Sequence, residues 1–241
     1  SDFLENHLYD LVREHGPTES IVERVFHEML DGICTKPGGG PPQTVIVFSP
    51  HPDDDVISMG GTLITLGEQG HNVHIAYMTS GNIAVFDQDA RRHIDYVRQF
   101  HELFGIESSV TTELCQRLAE AIRYNQVGSA VREELLSLKG LIRRTDGSAA
   151  CKSAGVEADK LHFLDLPFYR TGHVVKRPIS EEDVAIVANL LRELNPGQIY
   201  VAGDLSDPHG THRVCAQTII DALEVVKTEG IEPEVWLYRG A

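Results

Sequence analysis

The sequence predicts an α/β protein built around a mainly parallel sheet. Patterns typical of strands and helices alternate along most of the chain. Residues Val45–Phe48 form an unbroken apolar run, as expected of a strand that is buried on both faces. The chain has 241 residues, 41% of them hydrophobic, and no apolar run approaches the length of a membrane span. We therefore expect one α/β domain with a full core.

The first part of the chain is predicted to be helical. Residues 1–33 carry two apolar stripes at helical spacing, separated at Pro17, and Thr18 is expected to cap the second helix. The stretch Lys36–Pro42 is rich in glycine and proline, as is typical of a linker. We predict two units, residues 1–36 as a helical appendage or connection to an upstream domain, and residues 43–241 as the main domain.

The main domain is predicted to alternate five strands with helices. The predicted strands are Val45–Phe48, Val73–Met78, Leu161–Leu164, Gln198–Ala202 and Glu234–Tyr238. The predicted helices are Val56–Gln69, Gln88–Phe104, a less regular stretch over 111–144, Glu181–Leu194 with Ser180 as its N-cap, and Thr211–Lys227. Crossovers of this length connect parallel strands.

Composition excludes some classes of protein. The formal net charge is -15, with 36 acidic and 21 basic residues, which argues against a protein that coats nucleic acid.

The cysteines are far apart and form no CxxC pair, so we expect reduced thiols at Cys34, Cys115, Cys151 and Cys215. The start of the chain has no pattern of a secretory signal, and we expect a cytoplasmic protein with no membrane partner.

Three consecutive aspartates follow the first strand. The motif Ser-Pro-His-Pro-Asp-Asp-Asp places His51 and Asp53–Asp55 at the carboxyl end of that strand, where open α/β sheets place ligand sites. So much negative charge at close quarters is costly without a cation to offset it. The alternative is structural, because proline and aspartate are common in turns and Asp53 can cap the next helix.

A second histidine motif follows a later strand. The sequence Pro208-His209-Gly210-Thr211-His212 comes after Gln198–Ala202. Two strand ends that each carry histidine and aspartate favour a metal site. From spacing alone, His51 and Asp54 can converge on one ion, and either His209 or His212 can supply the third ligand.

This donor set points to hydrolysis. Zinc with three protein ligands keeps one position open, and binding lowers the pKa of a water there from about 15.7 to roughly 7. A carboxylate left off the metal can take the proton of the attacking water. A histidine left off the metal can stabilise the oxyanion or protonate the leaving nitrogen. The sequence therefore contains the groups needed for amide hydrolysis.

Together the two motifs, HPDDD and PHGTH, resemble those of the PIG-L (LmbE-like) family of zinc-dependent deacetylases, over Thr44–Tyr238. The resemblance implies a Rossmann-like, three-layer α/β/α fold and removal of an acetyl group from an N-acetylglucosamine unit. It also implies zinc ligands at His51, Asp54 and His212, with Asp53 as general base. His209 is implied to face the oxyanion and the leaving amine.

Two positions depart from the family pattern. Asp55 stands where the family usually has glutamate, and the late motif is commonly HPDH where this chain has His209-Gly210-Thr211-His212. Neither departure removes a ligand or the base. We therefore still expect activity, with different support around the metal.

Within the family, the segments VFSPHPDDDVISMGGT, TSGNIAVFD, HFLDLPFY and GDLSDPHGTHR are similar to a deacetylase-like region fused behind a glucosamine-6-phosphate deaminase-type domain. That similarity implies a small amino sugar or sugar phosphate as substrate, N-acetylglucosamine or its 6-phosphate. It also implies an upstream deaminase-like domain in the full-length protein. We expect a homo-oligomer.

Several residues are candidates for binding the substrate. Arg143 and Arg144 can bind a phosphate, with a solvated helix end as the alternative, and Arg170 follows a strand end. Asn82 can bind a sugar hydroxyl or close a turn. The family implies an arginine near the helix that follows, with Arg91 and Arg92 as alternatives, and Arg92 is included in the predicted site.

Two other functions are consistent with the sequence. One is an amidase acting on another amino-sugar conjugate, and another is a non-catalytic sugar-sensing module attached to an upstream enzyme. A nucleotide-binding Rossmann domain is disfavoured, because the first strand lacks GxGxxG at its end and the negative charge there would repel a pyrophosphate.

Overall fold

A parallel sheet of five strands forms the centre of the protein in this computed structural model, which describes residues 8–33, 41–124, 129–170, 176–204 and 209–239. Its strands are β1 Thr44–Ser49, β2 Asn72–Tyr77, β3 Leu161–Phe163, β4 Gln198–Ala202 and β5 Glu234–Tyr238. Their order across the sheet is β3-β2-β1-β4-β5, and every neighbouring pair is parallel. The sheet thus grows from β1 in both directions, and a crevice forms between the carboxyl ends of β1 and β4.

Eight helices surround or precede the sheet within the described ranges. They are α1 Tyr9–His15, α2 Thr18–Ile33, α3 Asp54–Glu68, α4 Asp87–Phe104, α5 Ser109–Tyr124, α6 Ser129–Ser153, α7 Glu181–Leu194 and α8 Thr211–Lys227. None of these helices is long and apolar enough to cross a bilayer.

Helices cover both faces of the sheet because side chains alternate along each strand. From β1, Ile46 and Phe48 pack in one core with residues of α7 and α8. Val45 and Val47 point to the other face and pack with residues of α3 and α6. All four side chains are fully buried. The predicted Rossmann-like three-layer arrangement, preceded by helices, is confirmed.

The predicted elements agree with the structure except at a few points. The stretch over 111–144 is predicted to be helical but less regular, and the described residues there belong to α5 and α6. Thr18 is the first residue of α2 and not its cap. Ser180 caps α7 as predicted, in a reciprocal pair of hydrogen bonds with Asp183. Residues 34–40, which contain Cys34 and most of the predicted linker, lie outside the described ranges.

Candidate metal centre and adjacent cavity

Three side chains that can bind a metal meet at the crevice between β1 and β4. His51 and Asp54 follow β1, and His212 is the second residue of α8, which follows β4. Asp54 Oδ2 lies 3.1 Å from His51 Nδ1 and 3.4 Å from His212 Nε2. One ligand atom from each residue lies within 4.8 Å of the others. Two imidazole nitrogens and one carboxylate oxygen suit zinc and other divalent metals, and leave a coordination position open.

Two local backbone features bring the ligands to this crevice. After β1 the chain turns sharply, and the backbone N–H of His51 donates to Asp54 Oδ2 at 2.9 Å. Before α8, Gly210 adopts a left-handed conformation with φ of 69°, which a residue with a side chain rarely adopts. The glycine that replaces the usual residue of the late motif therefore supplies the turn that starts α8 and carries His212.

Asp54 is held in its ionised form. Burial alone would raise the pKa of this carboxyl, but hydrogen bonds with His212 and His51, and the charges of both imidazoles, hold the pKa well below its ordinary value. An ionised carboxylate between two imidazoles is the state that a divalent cation requires.

Asp53 pairs with a distant arginine. Its Oδ1 lies 2.6 Å from Nη2 of Arg143, in the middle of α6. Asp53 occupies the N-cap position of α3 but makes no capping hydrogen bond with its side chain. The side chain of Asp53 therefore pairs with Arg143 and does not act as a helix cap. The side chain is 36% exposed, which leaves the carboxylate accessible to water.

Asp55 lies in a buried network below the metal cluster. Its carboxylate accepts hydrogen bonds from Ser49 Oγ at 3.1 Å, Tyr77 Oη at 3.2 Å and Cys151 Sγ at 3.0 Å. Burial raises the pKa of Asp55, although the hydrogen bonds act against this. Burial and the neighbouring Asp55 also raise the pKa of Cys151 to about 12, so the thiol keeps its proton and donates it.

Two glycines let α6 approach the loops at the carboxyl ends of the strands. A Cβ atom at Gly147 would lie 3.1 Å from Cβ of Pro52 and 3.2 Å from Oη of Tyr77. At Gly140 it would lie 3.4 Å from Cβ of Ser80. Between them, Arg143 reaches Asp53 and the neighbouring Arg144 reaches Asp165. The approach of α6 therefore decides where both arginines lie.

A cavity of about 560 Å³ opens beside the turn that follows β1, and three of the predicted substrate-binding residues line it. Its lining includes Asn82, Arg144 and Arg170, together with Pro52, which connects the candidate metal ligand His51 to Asp53. The volume is in the range of small-molecule sites. Arg143 is directed instead to Asp53.

Two other predicted residues are not members of the cluster or of this cavity. Arg92 is 74% exposed, lies 3.7 Å from Asp89, and lines a separate surface cavity on α4. His209 is exposed and precedes the glycine turn that starts α8. Of the two candidates for the third ligand, the structure brings His212 to His51 and Asp54.

Sequence reasoning did not identify three features near the site. Tyr169 is buried with its ring 6.0 Å from that of His51, Asp165 contacts two arginines, and Cys151 contacts Asp55. Asp165 is followed by Leu-Pro, a turn-like sequence that gives no information on its partners. The contacts of Asp165 and Cys151 depend on tertiary packing, for which the chain has no local signal.

Fold and site together define an α/β protein with a candidate metal centre at the switch point of a parallel sheet. Residues 46–223 match the family described as GlcNAc-PI de-N-acetylase, PIG-L. The chain belongs to this family, as the resemblance of the two motifs predicted.

Curated and solved relatives extend this comparison. The whole chain aligns with a glucosamine-6-phosphate deaminase-like protein of Bacteroides thetaiotaomicron, with 43% identity over an alignment of 259 positions that includes gaps. The chain spans 39% of the length of that relative.

Two solved structures are similar at low identity. N,N'-diacetylchitobiose deacetylase from Pyrococcus horikoshii has 19% identity and a TM-score of 0.48, over 90% of this chain and 68% of the other. GalB, a 4-carboxy-2-hydroxymuconate hydratase from Pseudomonas putida KT2440, has 18% identity and a TM-score of 0.49, over 83% and 62%.

Proposed function

We propose that this protein is a metal-dependent hydrolase that removes the N-acetyl group from an amino sugar, N-acetylglucosamine or its 6-phosphate. The observation that carries the proposal is the contact of the Asp54 carboxylate with both His51 and His212, with the separate carboxylate of Asp53 one residue away. Membership of a de-N-acetylase family supports the same reaction.

The donor set supports zinc as the metal, with His51, Asp54 and His212 as the residues that would hold it. When bound, zinc supplies Lewis-acid chemistry, because it polarises a carbonyl and lowers the pKa of water.

Asp53 is the general base in this proposal. Its carboxylate takes a proton from the attacking water while the water oxygen bonds to the acetyl carbon. The C–N bond then breaks and the proton passes to the leaving nitrogen, so that the products are acetate and the free amine. The ion pair with Arg143 orients the carboxylate of Asp53. His209, near the start of α8, is assigned to the oxyanion and the leaving amine.

Acetate release tests the proposal directly. Metal-free protein is assayed with N-acetylglucosamine and with its 6-phosphate, before and after zinc is added, and acetate should appear only after zinc. No acetate from either sugar, with zinc binding measured in the same sample, would contradict this activity. A screen of products by mass spectrometry then tests cleavage of another amino-sugar amide.

The variant Asp53→Asn tests the assignment of the base. It should retain zinc and lose acetate release by a factor of about 10² to 10⁴, the usual contribution of general base catalysis. Asp10→Asn is the matched control, since Asp10 is 85% exposed on α1. An Asp53→Asn variant that turns over like the unmodified protein would show that another group is the base.

A further inference from the structure

One residue fixes two arginines at the cavity beside the metal cluster. Arg144 Nη2 donates to Asp165 Oδ2 at 3.1 Å, and Arg170 Nε donates to the backbone oxygen of Asp165 at 2.8 Å. Because Asp165 contacts both guanidinium groups, their relative position is set before any ligand binds. Such preorganisation lowers the entropy that binding must otherwise cost.

Asp165 has a strained backbone at this position. Its φ is 46°, in the left-handed region that residues other than glycine seldom adopt, although aspartate tolerates it better than most. Residues held in such conformations cluster at ligand sites, because the surrounding structure must maintain them. Here the conformation presents the carboxylate to Arg144 and the carbonyl to Arg170.

The guanidinium group of Arg144 is also held from a second side. Its Cζ lies 4.3 Å from the centroid of the Phe163 ring. Stacking of this kind orients the planar group and leaves its edge available to an anion. The side chain is 46% exposed, so that a ligand can reach it.

The charge at the cavity favours an anion. Two guanidinium groups and one carboxylate leave one net positive charge, in a chain whose formal net charge is -15. Among the residues that the structure describes, nothing accepts a hydrogen bond from the terminal nitrogens of Arg170. Planar guanidinium donors of this kind match the oxygens of a phosphate or a carboxylate.

Asn82 adds an uncharged acceptor to the same cavity. Its Oδ1 is buried, and no donor reaches it within the described part of the chain. A buried acceptor that lacks a partner is costly, and a sugar hydroxyl is one group that would satisfy it.

We propose that this cavity is a phosphate subsite for a phosphorylated amino sugar, in which Arg144 and Arg170 bind the phosphate and Asn82 binds a hydroxyl. The proposal deepens the proposed function and rests on it for the identity of the sugar. Pro52 lines the cavity and is bonded directly to His51, so the cavity adjoins the turn that carries the candidate metal ligands. The phosphate would then discriminate between substrates while the reaction takes place at the cluster.

Binding of the product tests the subsite without turnover. Calorimetry on the metal-free protein compares glucosamine 6-phosphate with glucosamine, and the phosphate should bind about 10- to 100-fold more tightly, as expected for charge-assisted hydrogen bonds. Arg144→Ala and Arg170→Ala should each remove most of that preference. Arg144→Lys keeps the charge but loses the planar fork, and should have an intermediate effect.

The matched control is Arg98→Ala, which removes an arginine that is 65% exposed and lies 3.6 Å from Asp95 on α4. It should leave the preference for phosphate unchanged. Thermal unfolding of each variant establishes that it is folded before its binding is compared.

Three results would overturn the phosphate subsite. They are equal affinity for the two sugars, a preference that survives both alanine variants, and tighter binding of the 6-carboxylate analogue of glucosamine with the same dependence on Arg144 and Arg170. A failure of the proposed deacetylase activity gives a different result from a failure of the phosphate subsite. A phosphate preference without acetate release leaves the subsite intact, whereas acetate release that is insensitive to phosphate overturns the subsite alone.

Discussion

Arg143 and Asp53 form an ion pair, with 2.6 Å between Nη2 and Oδ1, that connects the middle of α6 to the loop carrying the candidate metal ligands His51 and Asp54. Arg143 is largely buried, and a Cβ at Gly81 would lie 3.0 Å from its Nε. The guanidinium group therefore has little freedom to move away. The pair makes Arg143 a positioning residue for the proposed base.

Replacing Arg143 by alanine should lower kcat for acetate release by about 10- to 100-fold, because Asp53 loses the partner that orients it. Zinc affinity should change little, since Arg143 does not contact the cluster. Arg143→Lys should recover part of the rate, because it restores the charge without the planar fork. Steady-state kinetics with the 6-phosphate substrate measure the effect.

The neighbouring variant Arg144→Ala provides the contrast. It should raise KM for the phosphorylated substrate and leave kcat nearly unchanged, since a phosphate contact distant from the reacting bond stabilises ground state and transition state alike. Equal kcat in Arg143→Ala and in the unmodified protein would contradict a role in orienting Asp53.

Asp54→Asn should weaken zinc binding by more than about 100-fold, beyond the loss usual for residues that only support a ligand. Asp54 contacts both imidazoles of the cluster, and these contacts hold its pKa below the ordinary value. Titration of metal-free protein with zinc measures the affinity. Asp53→Asn is the matched control one residue earlier, and it should retain zinc. A tightly bound zinc in Asp54→Asn would exclude this carboxylate as a ligand.

The meeting of His51, Asp54 and a late histidine in a candidate metal cluster could be predicted from the sequence, because parallel strands bring their carboxyl ends to one edge. His51 and Asp54 follow a strand identifiable by its apolar run, and His212 follows another. Spacing could not distinguish His209 from His212. The structure distinguishes them, because His212 is buried in the first turn of α8 while His209 is exposed.

The surroundings of the cluster could not be predicted in the same way. Cys151 was expected to be an ordinary reduced thiol, and its contact with Asp55 spans 96 residues of the chain. The partner of Asp53 is Arg143, which was expected to bind phosphate. Both contacts depend on how α6 packs on the loops.

Gly147→Ala should disturb the site through packing alone. The added methyl group would lie 3.1 Å from Cβ of Pro52 and 3.2 Å from the hydroxyl of Tyr77, closer than ordinary van der Waals contact, so that α6 or the loop would have to shift. We expect a loss of about 1–3 kcal/mol in the free energy of unfolding, as for other overpacked sites, together with a lower kcat. Urea denaturation and the acetate assay measure the two effects.

Gly61→Ala is the matched control for this prediction. Gly61 lies within α3, and nothing comes within 4 Å of a Cβ placed there. Alanine should stabilise this helix by about 0.5–1 kcal/mol, since it restricts the unfolded chain and favours the helix. If Gly147→Ala were as stable and active as Gly61→Ala, the close packing of α6 on the loop would not be needed for the site.

His74 and His162 should make the free energy of unfolding of the protein depend on pH. His74 Nδ1 lies 2.9 Å from His162 Nε2, across β2 and β3. Burial lowers the pKa of both imidazoles. For His74 the charges of His162 and Lys160 lower it further, while Asp159 and Glu193 oppose the shift. For His162, Glu193 opposes it.

The direction in which the free energy of unfolding changes with pH follows from the number of protons that the folded and unfolded states bind. With both pKa values below about 6.5 in the folded protein, the unfolded chain binds more protons as pH falls through and below that value. The stabilisation is therefore present above about pH 6.5 and is lost as the solution becomes more acidic. Each group contributes a slope of at most about 1.4 kcal/mol per pH unit.

Urea unfolding at pH 8, 6 and 5 should show this loss in the unmodified protein and a shallower one in His162→Gln. The variant should also be less stable at pH 8 by about 1 kcal/mol, because it removes the hydrogen bond between the two rings. His15→Gln, at an exposed histidine of α1, should leave the slope unchanged. A slope in His162→Gln equal to that of His15→Gln would show that other groups cause the acid sensitivity, since only the former removes a member of the pair His74–His162.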